Sequence, residues 1–188
     1  MAQLPIVRVE PDGEALEQPI FYYELGDPAC YLMAERIVTA LGVVPEWEPV
    51  RFAQAAERDR RDVERRALEL GLQPVRWPDR WPPDSRRAML AATYAKRIGR
   101  TVAFSLAAFR QAFAAGRDLA DEATILLAGA ACEIHPTALL RGVAMRSVSQ
   151  ALTQANRRAL GAGVRELPAI QVGGAVFSDL EQAAEARR

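Results

Sequence analysis

An acid and a thiol stand three residues apart in Gly26-Asp27-Pro28-Ala29-Cys30, directly after the apolar run Phe21-Tyr22-Tyr23. Asp27 offers general acid–base chemistry if it sits in a cleft where burial raises its pKa. Cys30 offers a nucleophilic or redox thiol if its thiolate is accessible. Dithiol cycling is excluded at this turn, because a carboxylate in the first position forms no mixed disulfide. Each residue also has a plain role. Asp-Pro is a good helix start, and most free cysteines are small buried hydrophobes.

The elements that position this pair follow from periodicity. Ile20–Tyr23 reads as a strand. Leu32, Met33, Ile37 and Leu41 recur at helical spacing, with Asp27 as cap, Pro28 as first residue and Gly42 as stop, which predicts a helix over 28–41. Val43 to Arg51 reads as a second strand, with Trp47 and Val50 as apolar positions. A helix between two strands makes them parallel neighbours. Upstream, Ile6–Val9 is a candidate edge strand followed by a Pro11-Asp12-Gly13 turn signal.

From about 57 to 161 the pattern is helical. Segments run Asp59–Leu70, Asp84 to Ile98, Thr101–Ala115 with the stripe Val102, Leu106, Phe109 and Phe113, then Glu122–Cys132, Pro136–Met145 and Ser147–Leu160. Pro74–Pro83 contains four prolines and must be a loop. Beyond it, Pro168–Val172 reads as a strand, Gly173-Gly174 as a hairpin turn, Ala175–Phe177 as the antiparallel partner, and Ser178-Asp179-Leu180-Glu181 as a capping box opening the last helix. The order is β-α-β, helices, β-β-α. This divides the chain into an N-terminal extension (1–19), an α/β part (20–56 and 162–188) and a helical insertion (57–161).

Composition narrows the function classes. The 188 residues carry 24 basic and 24 acidic side chains and are half hydrophobic. That argues for a folded domain with a substantial core and against a nucleic-acid footprint. No apolar run reaches the ~20 residues needed to span a bilayer. No basic flank precedes a long apolar core, so a cytoplasmic protein is expected. Cys30 and Cys132 match no zinc spacing, and the lone histidine, His135, precedes Pro136 at a helix start, where it reads as a cap. No metal is expected, and Cys132 reads as core.

Three stretches in this order resemble the DsbA-like branch of the thioredoxin fold, nearest to 2-hydroxychromene-2-carboxylate isomerases and kappa-class glutathione transferases. FYYELGDPACYL is similar to that family's strand and S-P-x-S-Y-L or C-P-x-C turn. WPPDSRRAMLAATYAKRIG with FRQAFAAGRDLAD resembles its helical insertion. GVRELPAIQVGGAVFSDLE resembles the segment carrying its cis-proline, which falls on Pro168. The resemblance implies an α/β thioredoxin-like fold with a large all-helical insertion. It further implies a small-molecule substrate or thiol in the cleft, glutathione or another low-molecular-weight thiol as co-substrate, and a homodimer as one assembly open to the chain. Leu167 would offer its backbone to the ligand, and Ser178 and Asp179 would hold the γ-glutamyl end. An isomerase or transferase, a monothiol oxidoreductase using Cys30, and a non-catalytic binding protein all stay open.

The departure from the family lies at Asp27, where the isomerases carry serine. An ionised carboxylate repels a thiolate by roughly 4 kcal/mol at about 4 Å and an effective dielectric of about 20. Glu166, beside Leu167, would add to this if it faces the cleft. Trp77 and Trp81 either cover the core or line an aromatic substrate pocket, one of Tyr22, Tyr23 and Tyr31 is expected at the cleft, and Arg51, Arg86 and Arg87 are available to an acidic substrate.

Overall fold

The computed structural model describes residues 17–52 and 58–188. The candidate strand at Ile6–Val9 lies outside them. Four strands form one sheet: β1 (Ile20–Tyr23), β2 (Glu46–Pro49), β3 (Ala169–Val172) and β4 (Ala175–Phe177), in the order β2-β1-β3-β4. β1 runs parallel to β2, pairing Phe21 with Trp47, and antiparallel to β3, pairing Phe21 with Ile170. β3 turns back into β4 through Gly173, whose φ of +55° is one that glycine adopts readily. The strand expected over 43–51 is shorter, because regular pairing with β1 begins at Glu46 and stops at Pro49.

Side chains two apart on a strand share a face. Phe21 and Tyr23 therefore stack with ring centres 5.4 Å apart, and Trp47 meets both edge-on at 5.0 and 5.4 Å. This face is covered from the helical block. α5 (Thr101–Phe113) brings Phe109 to 5.8 Å from Tyr23, and Ser105 Oγ lies 2.6 Å from the Tyr23 hydroxyl. α4 (Arg86–Arg97) and α8 (Arg146–Gly161) pack on β2. Phe21, Tyr23, Phe104, Phe109 and Phe113 are fully buried in one continuous core, each worth roughly 1.5–3 kcal/mol relative to exposure.

The remaining helices are α1 (Pro28–Ala34), α2 (Ile37–Leu41), α3 (Arg60–Glu69), α6 (Glu122–Ala130), α7 (Pro136–Ala144) and α9 (Leu180–Ala186). The single helix expected over 28–41 is divided at Glu35–Arg36, where the ladder tightens and the Arg36 N–H bonds to Met33 O. The cap position of α4 is Ser85 rather than the expected Asp84, whose Oδ1 accepts from the Arg86 N–H at 3.1 Å from one residue further out. His135 Nδ1 accepts from Thr137 N at the start of α7. At α9 the cap is Asp179, accepting from Gln182 N at 2.9 Å, rather than the Ser178 of the expected box. α9 packs on α2, β3 and β4, so its first turn faces the start of α1 across the end of the sheet.

Candidate functional site

Asp27 leaves β1 in an extended conformation and caps α1, its Oδ1 accepting from Ala29 N at 2.9 Å. A second partner comes from just before α3. Arg58 forks onto the same carboxylate, Nε to Oδ1 at 3.1 Å and Nη2 to Oδ2 at 2.9 Å. Nη2 also donates to the carbonyl of Leu167, whose peptide bond to Pro168 is cis. One guanidinium thus ties the helix start at Asp27 to the turn at Leu167–Pro168. Burial opposes the Arg58 charge, but the hydrogen bonds and charge of Asp27 outweigh it, so the Arg58 pKa is raised.

This junction borders a cleft of about 430 Å³. α1 contributes Leu32 and Met33, and Arg36 follows them. Arg58 and, from α3, Arg66 and Glu69 form a second wall. Glu166, Leu167 and Pro168 form a third, and Ser178, Asp179 and Glu181 close the end. Four of the residues singled out in the sequence, Leu167, Pro168, Ser178 and Asp179, are therefore brought together. Asp27 is not on the cleft surface; it sits behind Arg58, its side chain 11% exposed against 27% for Arg58. The repulsion expected between Asp27 and a bound thiolate is offset by the paired guanidinium. Glu166 does line the cleft and is exposed.

Cys30 points the other way. It has no exposed surface, and its Sγ accepts from the Glu24 N–H at 3.5 Å. Burial, reinforced by the charge of Asp27, pushes the Cys30 thiol well above its usual value. Glu24 beside it is itself buried. Its Oε1 accepts from the Ser85 hydroxyl at 2.5 Å and lies 3.9 Å from Arg51 Nε. Burial raises the Glu24 pKa, with Ser85 and Arg51 opposing.

Trp77 does not line the cleft. It meets Trp81 edge-on at 4.8 Å and Phe113 at 6.3 Å, its Nε1–H donates to Glu64 at 2.6 Å, and the Arg60 guanidinium lies 5.1 Å from its ring centre. This aromatic set closes the proline-rich loop over α5, so the covering role fits and the pocket-lining one does not. The tyrosines are spent likewise: Tyr22 donates to Gln171, Tyr23 lies against Ser105, and Tyr31 stacks on Phe113. Arg51 serves Glu24 and Asp84, and Arg87 pairs with Glu122. Arg58, Arg66 and Glu24 were missed by the sequence reading. For Glu24 the signal was an acid directly following an apolar strand. Among the described residues no group of three or more His, Cys, Asp or Glu is placed to hold a metal, and none of their helices is long and apolar enough to cross a membrane.

No family model matches the chain, and no curated protein matches it significantly. Solved structures do. A 2-hydroxychromene-2-carboxylate isomerase superposes with a TM-score of 0.77 at 15% identity, over 89% of this chain and 91% of that one. A probable DsbA oxidoreductase from Streptomyces coelicolor gives 0.74 at 17% identity, covering 90% and 88%. The cytosolic disulfide reductase DsbM from Pseudomonas aeruginosa, solved with GSH, gives 0.68 at 15% identity, covering 90% and 95%. With its β-α-β and β-β-α halves around a block of helices, this chain has the DsbA-like thioredoxin fold.

Proposed function

We propose that the chain is a non-redox enzyme of the isomerase or glutathione-transferase type, which binds glutathione or another low-molecular-weight thiol in the cleft between α1, the Leu167–Pro168 turn and α9. The observation that carries this reading is the convergence of Leu167, Pro168, Ser178 and Asp179 on one cleft of about 430 Å³, a size suited to a small molecule. The ligand would lie extended along Leu167. The Ser178 hydroxyl and the Asp179 oxygen not used in capping would meet its amino-acid end, and its sulfur would face Arg58. A thiol-exchange enzyme needs an accessible thiolate. Cys30 is sealed and its thiol form favoured, which weighs against the monothiol oxidoreductase alternative.

Two assays on the purified chain test the reading together: calorimetric titration with glutathione, followed by a crystal soak, and disulfide reduction with and without Cys30→Ala. The expected result is saturable binding with density beside Pro168 and no exchange activity that depends on Cys30. Rapid exchange lost in Cys30→Ala would overturn it in favour of the oxidoreductase.

A further inference from the structure

We infer that Arg58 is the group that meets the ligand, donating from Nη1 to an anionic atom of the bound molecule, and that Asp27 is the positioning residue that holds it there. The inference rests on the reading of this cleft as the ligand site and names the chemistry the cleft selects. Nε and Nη2 of Arg58 are taken by Asp27 and by the Leu167 carbonyl. Nη1 has no acceptor among the described residues, and the side chain lines the cleft. The carboxylate stands behind and does not, so the pair presents its positive end to the cavity. Three contacts fix the guanidinium plane before any ligand arrives, which reduces the ordering cost of binding. The other cleft arginines are held less suitably. Arg36 is turned to Glu181 at 2.7 Å, and Arg66 pairs, among the described residues, with Asp62 at 3.6 Å on its own helix. The anion is a thiolate sulfur or a carboxylate oxygen, both of which accept from a guanidinium.

Asp27 has no such opening. Three N–H donors already converge on its carboxylate, from Ala29, Arg58 Nε and Arg58 Nη2. Its effect on a ligand passes through Arg58.

Calorimetric titration of wild type, Arg58→Met, Asp27→Asn and the double variant with glutathione and with S-methylglutathione tests this. Arg58→Met is expected to weaken glutathione about tenfold or more. If the thiolate is the anion, S-methylglutathione changes less than about twofold; if a carboxylate, both ligands weaken alike. Asp27→Asn is expected to weaken the same ligand and to add nothing on top of Arg58→Met, which a separate structural role would not produce. If Arg58→Met fails to fold, Arg58→Lys, which keeps a charge without the fork, carries the comparison with a smaller loss. Unchanged affinity for both ligands in the Arg58 variants overturns the inference. If neither ligand binds wild type, the glutathione reading falls by itself, and benzoate, followed by ligand-observed NMR, decides on Arg58. Benzoate binding weakened by Arg58→Met sustains the inference; no binding, or binding indifferent to the variant, overturns it.

Discussion

The guanidinium of Arg58 and the carboxylate of Asp27 meet as a two-bond fork, at 3.1 and 2.9 Å, with the cation on the cleft side and the anion behind it. Asp27 also caps α1, so the fork couples a wall of the cleft to the integrity of the first helix. In the unliganded protein, Arg58→Met leaves the Leu167 carbonyl and one Asp27 oxygen without their donor. The expected loss is about 1–3 kcal/mol, read by urea denaturation. Because Arg58 retains some exposure, the pairwise part in a double-mutant cycle with Asp27→Asn is expected near 1 kcal/mol and to shrink in high salt. A coupling of zero would mean that the fork holds nothing in place.

Cys30 is expected to be silent toward alkylating reagents while the protein is folded. Burial sets its thiol above the usual value, so the thiol form dominates at neutral pH, and the residue has no exposed surface. Iodoacetamide labelling, with each cysteine resolved by mass spectrometry, should proceed at least roughly tenfold more slowly than for free glutathione and track unfolding as urea is added. Cys30→Ala is expected to cost on the order of 1 kcal/mol, as loss of a buried sulfur. Fast labelling at neutral pH without denaturant would contradict the burial that disfavours thiol exchange.

Glu24 gives a pH dependence with a definite sign. Its carboxyl is buried between Ser85 and Arg51, and burial raises its pKa above the ordinary value of 4.5. The folded state therefore holds this proton more tightly than the unfolded chain does. Below the unfolded value both states are protonated and Glu24 costs nothing by ionising. As pH rises from there through the raised folded value, the unfolded chain ionises first and folding becomes less favourable. Glu24→Gln keeps an acceptor for the Ser85 hydroxyl and removes the titration. Its stability relative to wild type is expected to improve across that window and level off above it. Denaturation midpoints of the two proteins from acid to neutral pH check this; a difference that is flat, or that runs the other way, would show that Arg51 fully compensates the buried charge.

Much of this architecture is written locally, and the parts that are not share one cause. The Phe21–Tyr23 strand, the Phe109 and Phe113 stripe, the Gly173 hairpin and the start of α9 each follow from period, turn residues or caps within a few positions. The burial of Cys30 does not: Met33, three residues on, lines the cleft, while the Cys30 thiol turns to the Glu24 N–H. Arg58 stands in the run Arg58-Asp59-Arg60-Arg61-Asp62, where nothing local tells which arginine folds back on a helix start and which solvates. Its partners, Asp27 and Leu167, are 31 and 109 residues away. Trp77 is the same case in aromatic form: a tryptophan among prolines suits a pocket as well as a seal, until Phe113 and Arg60 are placed against it. Side chains whose partners lie far along the chain are decided by tertiary packing, and the site is made mostly of these.

Gly142 on α7 lies against the ring of Tyr94 on α4, and a Cβ added there would come within 2.3 Å of ring atoms. By helix propensity alone Gly142→Ala should stabilise by about 1 kcal/mol. An aromatic ring packed between two helices yields less readily than the end of an aliphatic chain, so overpacking of about 1–3 kcal/mol is expected to prevail and the substitution to destabilise. The same change made in a Tyr94→Ala background meets no ring, and there its sign is expected to reverse to a gain. Thermal and urea unfolding of the four proteins of this cycle separates the two contributions. A stabilised Gly142→Ala in the wild-type background would show that α4 and α7 can move apart at no cost, and that the close approach of these helices is not what orders the helical block.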